Sequence, residues 1–308
     1  MKIKEFIIKD ETSLGAKIKK TIKEKGFWSF IVIAWNVLYR FIYKFFREYI
    51  PLRWLILNSV DGKIQKDIFG SQMILDLNDR GISRELALYG YHEKNSTKFV
   101  KTIICPGMNI LEVGANIGYY LMIEGKMAGP DAKIYAFEPS PYNIDCLKKN
   151  LTLNNYTNVS IYPYAAGETE FETNFYISRR SNLSSFAPMK DNSQIVKVKV
   201  VKLDNFLADK RVDFIRMDIE GYEREALLGL KETLRSEKAP KYFFIEIHSL
   251  ALNKKGSSTK EFVEYMSGFG YEVKKSFYRG KKSVNSTREL LDHPLREAGY
   301  WETFFEKK

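Results

Sequence analysis

Asn109-Ile110-Leu111-Glu112-Val113-Gly114-Ala115-Asn116-Ile117-Gly118 is the stretch whose reading decides the fold. The apolar run 110–113 has the length of a buried strand and passes directly into a turn carrying two glycines, Gly114 and Gly118. Residues 119–127 then suit a helix. A strand-to-helix turn with glycines lets the backbone approach a ligand closely, with no Cβ in the way. Asn116 tolerates a left-handed conformation between them. The N–H groups at the start of the helix favour an anionic group such as a carboxylate.

Outward from this loop, the next strand, 133–137, ends at Glu138, twenty-four residues after Gly114. An acid at that place can hold two ribose hydroxyls. Loop and acid together are compatible with a dinucleotide or with S-adenosylmethionine (SAM). The spacing Gly114-x-x-x-Gly118 lacks the three-glycine pattern expected for a pyrophosphate, and Glu112 opposes a phosphate. The sulfonium and ammonium of SAM suit this acidic loop better.

The alternation continues with a helix over 141–154 and a strand over 159–164. It resumes with a strand over 212–217, a helix over 222–234, a strand over 242–247, a helix over 259–269 and strands over 271–276 and 300–305. Strands alternating with helices predict a doubly wound α/β fold, its mostly parallel sheet covered on both faces. A hairpin over 63–77 turning at Gly70, and a helix over 83–104 stopped by Pro106-Gly107, lead into it. Two β-like stretches, 171–177 and 195–203, flank the polar segment 178–192, which contains Arg179-Arg180 and Ser184-Ser185 and reads as a lid or as a plain excursion.

Asp218-Ile219-Glu220-Gly221-Tyr222-Glu223 follows the strand 212–217 and so lies at the same C-terminal sheet edge as the glycine loop, the edge where ligands bind. Glu246 and His248 are two apart on the next strand and share a face. Methyl transfer to a hydroxyl needs a proton acceptor, and His248 is the economical candidate because an ordinary imidazole titrates near neutral pH. Asp218 or Glu220 would orient it or the substrate; a structural hydrogen bond is the plainer reading of His248. Glu223 reads as a helix N-terminal charge. Asp218, Glu220, Glu246 and His248 could also gather a hard divalent ion, a reading not favoured.

At these residues the chain resembles the FkbM family of SAM-dependent methyltransferases. The resemblance runs from about Gly70 to His248, through Gly81-Ile82-Ser83-Arg84-Glu85, the glycine loop, Phe137-Glu138-Pro139, Ala165-Ala166-Gly167, Ser184-Ser185, Leu203-Asp204, Asp218 to Glu223 and Ile245 to His248. It implies a seven-stranded class I (Rossmann-like) methyltransferase sheet and O-methylation of a sugar, glycan, lipid or secondary metabolite. It also implies that Glu112, Gly114, Asn116 and Gly118, with the adjoining Ala115 and Tyr119, cradle the methionine part of SAM. Glu138 and Pro139 would then face the ribose, and Ala165 and Ala166 the adenine. A nucleic-acid methyltransferase is the runner-up, supported by a pI of about 9.3, but no Asn-Pro-Pro-Tyr type box that would grip a flipped base is present. An inactive methyltransferase-like adaptor at a membrane is the reading from another class.

Residues 1–60 fall outside the resemblance and form an appendage to the methyltransferase domain, 61–308. They carry twelve Lys or Arg against five Asp or Glu, most of the chain's net +11. The longest uncharged run, Gly26 to Tyr39, is fourteen residues and too short for a membrane span. Ser29, Asn36, Arg40, Lys44 and Arg47 fall on one helical face opposite aromatic residues. Residues 27–50 are therefore expected to form an amphipathic helix at an anionic membrane surface, or to pack on the domain. The first apolar run follows a long charged segment and no small-residue cleavage site is apparent, so no secretory leader is expected. Cys105 and Cys146 have no partner at metal-ligand spacing and suit a reducing, cytoplasmic setting.

Overall fold

A computed structural model of the chain describes residues 62–79, 81–178, 186 and 194–308, all within one compact unit, Asp61–Lys308. The helix expected over 27–50 lies outside the described residues, as do 179–185 and 187–192 of the polar segment.

The hairpin forms as β1 (Lys63–Ile68) and β2 (Ser71–Asp76). Helices α1 (Ile82–Tyr89) and α2 (Lys94–Ile103) follow. Then come β3 (Ile110–Val113), α3 (Tyr119–Ala128), β4 (Ile134–Phe137), α4 (Pro141–Leu153) and β5 (Val159–Tyr162). Next are β6 (Tyr164–Gly167), β7 (Phe171–Ile177), β8 (Gln194–Lys202), α5 (Leu203–Leu207) and β9 (Phe214–Met217). The chain continues through α6 (Glu223–Leu228), α7 (Lys231–Arg235), β10 (Tyr242–His248), α8 (Ser249–Lys254) and α9 (Thr259–Gly268). It closes with β11 (Tyr271–Tyr278), β12 (Lys282–Val284), α10 (Thr287–Leu291) and β13 (Tyr300–Lys307).

The strands that read as mostly apolar runs, each broken by a single charge, Glu112 in β3 and Arg216 in β9, take the centre of the sheet, because a parallel strand covered on both faces has no solvent side. Every residue of β3 and β9 is buried. The main sheet has the order β12-β11-β13-β10-β9-β3-β4-β5. Strands β10, β9, β3, β4 and β5 run parallel, and β13 and β11 add antiparallel pairings. These are the expected seven strands; the three-residue β12 adds an eighth at the edge, too short to read from sequence. Phe244 of β10 stacks on Phe304 of β13 with ring centroids 4.1 Å apart. The chain leaves β3 to one side for β4 and β5, then returns to the other side for β9. Connections that diverge in this way open a crevice at the carboxyl ends of the strands.

Four expectations need correction. The single helix over 83–104 is two, because Gly90 closes α1 in the left-handed region at φ +75 and α2 restarts after Glu93 at φ +44. The strand over 159–164 breaks at Pro163, which has no N–H for a ladder, and its second half becomes β6 in a separate three-stranded sheet with β8 and β7. The helix over 222–234 pauses at Gly229, where a Cβ would come within 2.2 Å of the Gly167 carbonyl oxygen. Short helices α5, α8 and α10 were not expected.

The hairpin edge is covered by α4, whose asparagines replace a missing strand. Asn150 and Asn154 accept from Ile74 N and Gln72 N, each at 2.8 Å. A bare edge of unpaired N–H groups is thereby avoided.

Candidate active site

The loop after β3 turns through three left-handed residues, Gly114 at φ +90, Asn116 at φ +51 and Gly118 at φ +93. At Gly114 a Cβ would meet the Asp218 carbonyl oxygen at 2.1 Å, so the loop lies against the end of β9 as only glycine allows. Gly118 packs on Leu147 and starts α3. Glu138, at the end of β4, is buried, and its carboxylate ties the two loops together. Oε2 accepts from Asn116 N at 2.7 Å; Oε1 accepts from Ser140 N at 2.8 Å and Asn143 Nδ2 at 3.3 Å. Burial outweighs these donors and raises its pKa to about 7.

A first hollow opens beside this carboxylate, lined by Gly114, Asn116, Glu138, Pro139, Ala165 and Ala166 of the expected cofactor residues. Its far side is aromatic. Tyr164, Phe175 and Phe186 line it, and Phe186 lies 4.6 Å from the Tyr222 ring and 5.4 Å from Phe175. These rings were not singled out in the sequence, because they come from the small sheet and the polar segment, whose position against β4 no local pattern reveals.

A second hollow of about 310 Å³ adjoins the first and shares Gly114, Asn116, Asp218 and Glu220 with it. Glu112, Ala115, Tyr119, Glu246 and His248 also line it. Glu112 is tied within the protein at one oxygen: its Oε1 accepts from Arg216 Nη1 at 2.7 Å. Arg216 Nη2 reaches Asp218 Oδ2 at 2.9 Å, and the guanidinium lies 3.9 Å from the centre of the Tyr120 ring. Burial opposes the charge on Arg216, but Glu112 and Asp218 outweigh it. Glu124, fully buried on α3, has its pKa pushed well up by burial and then by Glu112. The sequence reading missed Arg216. A charged residue inside the otherwise apolar strand Phe214–Met217 was the available signal, since buried charges are kept only when paired.

Glu246 and His248 do share a face and both reach this hollow. Asp218 does not orient His248. Glu223 does: its Oε1 accepts from His248 Nδ1 at 3.0 Å while also holding Gly221 N at 2.9 Å and Ile219 N at 3.2 Å. Glu223 is thus the first-turn charge that was expected and, in addition, the support of the histidine. Glu220 Oε2 lies 3.4 Å from His248 Nε2. Burial alone would lower the His248 pKa, but Glu223 and then Glu220 hold it at about 10. His248 is therefore an imidazolium at neutral pH and not the free base that its ordinary pKa suggested. Glu220, in the left-handed region at φ +54, is raised to about 8 by burial and by Asp218. Glu246 is pushed up by burial and by the same neighbour. Asp218, Glu246 and His248 can bring one ligand atom each within 4.8 Å of one another, the group best placed to hold a metal among the described residues.

Comparison with known proteins follows the same lines. The sequence model of one family, the Methyltransferase FkbM domain, matches residues 112–273. "Methyltransferase 1" of Beauveria bassiana (strain ARSEF 2860) is 27% identical over 146 residues, 40% of this chain and 58% of that protein. "Methyltransferase sdnD" of Sordaria araneosa is 27% identical over 158 residues, 40% of this chain and 60% of that protein. The match thus spans less than two thirds of either relative. Among solved structures, fibrillarin of Aeropyrum pernix, with natively bound S-adenosyl-L-methionine, covers 68% of this chain and is itself covered to 76%, at 14% identity and a TM-score of 0.39. The family match takes in more than half of the 308 residues and includes the glycine loop, Glu138, Asp218 to Glu223 and His248: the chain belongs to the FkbM-domain methyltransferases.

Proposed function

We propose that this methyltransferase moves the methyl group of SAM to a hydroxyl of a sugar, glycan, lipid or secondary metabolite. The observation that carries the reading is the pair of adjoining hollows at the C-terminal sheet edge, with Asp218 and Glu220 common to both. The first hollow fits the adenosine half of SAM. Glu138 is a buried carboxyl with a pKa of about 7, which hydroxyl donors would draw to its charged form, and the aromatic side suits a purine face. Asp218 and Glu220, at the border of the two hollows, suit the cationic end. When bound, SAM supplies a methyl group on a positively charged sulfur, open to in-line attack by an oxygen.

The chain's own residues then position the acceptor and take its proton. Glu220 lines both hollows and has a pKa of about 8, close to an ordinary working pH, and a cation beside it favours its charged form. The His248 imidazolium, fixed by Glu223, steadies that carboxylate from 3.4 Å. Asp218 is set by Arg216 on the cofactor side. Because His248, held at a pKa of about 10, would have to give up its proton to bind a metal through Nε2, methyl transfer is expected to persist in EDTA. Five acidic side chains, Glu93, Glu112, Asp218, Glu220 and Glu246, line the acceptor hollow and oppose a phosphate-rich acceptor end, which disfavours nucleic acid.

Among the described residues no helix is long and apolar enough to cross a membrane. Residues 27–50, on sequence alone, would hold the enzyme at the cytoplasmic face of a membrane, near lipid-linked acceptors.

The test is incubation with methyl-labelled SAM against cell fractions, asking which takes up alkali-stable label. Glu220→Gln should lower turnover by about 100-fold or more while SAM affinity stays within a few-fold. Normal turnover in that variant would remove Glu220 from the mechanism.

A further inference from the structure

Helix α2 begins badly for a helix chosen for its own stability. Its N-cap is Glu93, in the left-handed region at φ +44, and the side chain makes no capping bond. Ser, Thr, Asp or Asn would satisfy a free helix N–H there, and a long side chain at positive φ is uncommon. The Glu93 carboxylate is turned to the wall of the second hollow and held at both oxygens. His92 Nε2 lies 3.1 Å from Oε1, and the Tyr120 hydroxyl donates to Oε2 at 2.7 Å. His92 is fixed in turn by Glu85 Oε2, 2.7 Å from its Nδ1, and its backbone N and O both bond the Tyr119 hydroxyl.

Strained backbone persists where its surroundings over-determine it, and it collects at functional sites. Asn116 and Glu220, also left-handed, line the same hollow as Glu93. Glu85, His92 and Glu93 all precede the region matched by the family, 112–273. Burial opposes ionisation of Glu93, but His92 outweighs it and holds the pKa at about 2, so the group offers acceptors only. Each carboxylate oxygen can accept a second bond.

We infer that Glu93 is a second anchor for the acceptor, which carries another hydrogen-bond donor, a hydroxyl or an ammonium, near the hydroxyl that receives the methyl group. This rests on the reading of the second hollow as the acceptor site. A polyol, a sugar or an amino sugar meets the requirement; an acceptor with a single isolated hydroxyl does not. His92 and Tyr120 are positioning residues for the anchor.

The experiment uses the full chain, methyl-labelled SAM and a titrated aqueous extract of the cells that make the protein. Glu93→Gln should raise the half-saturating amount of extract tenfold or more, leave half-saturation by SAM within twofold, and leave the rate at saturating extract within about threefold. Glu93→Asp keeps the charge and should recover part of the loss. Treating the extract with acetic anhydride in water blocks amines and spares hydroxyls: surviving uptake assigns the second donor as a hydroxyl, and lost uptake assigns it as an ammonium. An unchanged half-saturation in Glu93→Gln overturns the inference, and so does a parallel loss of SAM affinity, which would mark Glu93 as structural. A wild-type chain that binds SAM but labels no fraction overturns the methyl-transfer reading itself, and the anchor falls with it before any variant is compared.

Discussion

Replacing Glu138 by Gln removes one charge and nothing in volume, at a carboxylate that already accepts from Asn116 N, Ser140 N and Asn143 Nδ2. Oε1 already accepts two bonds and Oε2 one, which leaves a place for one ribose hydroxyl on Oε2; donating to a charged group it contributes about 1.5 to 3 kcal/mol, against about 0.5 to 1.5 for a neutral acceptor. The difference, about 1 to 1.5 kcal/mol, corresponds to a loss of roughly 5- to 12-fold in SAM affinity at pH 8, where Glu138 is ionised. The wild type should also show a pH dependence that the variant lacks. Because the free carboxyl has a pKa of about 7 and the bound form must be charged, binding below that pH has to expel a proton. Affinity should therefore rise with pH up to about 7 and flatten above it. Calorimetry between pH 6 and 8.5, in buffers of different ionisation enthalpy, reads both the affinity and the proton released. A Glu138→Gln protein that binds SAM as tightly as the wild type, with the same pH profile, would refute the assignment of this carboxylate to the ribose.

Further outcomes follow from the same geometry. Gly114→Ala places a Cβ 2.1 Å from a backbone oxygen at φ +90, with left-handed strain of about 1 to 2 kcal/mol before any clash; SAM binding should vanish while the far-ultraviolet spectrum is kept, and retained binding would show that the loop does not touch the cofactor. Without cofactor, thermal stability should fall between pH 6.5 and 9. Glu138, raised to about 7, and Glu220 and Glu302 of β13, raised to about 8, hold protons more tightly folded than unfolded, and His248, held at about 10, keeps its proton while the unfolded imidazole loses it above 6.5, so its contribution shrinks as pH rises toward 10. A melting temperature that is flat or rising over that range would contradict these shifts. The full chain should sediment with anionic liposomes and a chain starting near Val60 should not, since Arg40, Lys44 and Arg47 contribute about 1 kcal/mol each at low salt; a truncated chain that aggregates or loses SAM would make residues 27–50 a packing element instead.

The central sheet was legible because its strands are short, mostly apolar runs ending in chemistry: Ile110 to Val113 before the glycine loop, and Phe214 to Met217 before Asp218. Local pattern also located Glu138, Glu246 and His248 at one edge, since sheet topology alone brings strand ends together. What escaped depended on contacts between distant segments. Arg216 reads as an interruption of a strand until Glu112 and Asp218 are seen on either side of it. The protonation of His248 depends on Glu223, twenty-five residues earlier in sequence, and an ordinary imidazole pKa could not anticipate it. The breaks at Gly90, Pro163 and Gly229 were each marked by a residue type known to end regular structure, yet the apolar periodicity around them suggested continuity.

The place where SAM sits decides the roles of Glu138 and Glu220, and a crystal structure of the full chain with S-adenosylhomocysteine measures it. A ribose hydroxyl is expected within about 2.6 to 3.2 Å of Glu138 Oε2, the adenine between Ala165 and the Phe186 side of the first hollow, and the sulfur facing Glu220 across the boundary with the second. A ligand bound away from Glu138, or a sulfur turned from the hollow that holds Glu220 and His248, would contradict those roles.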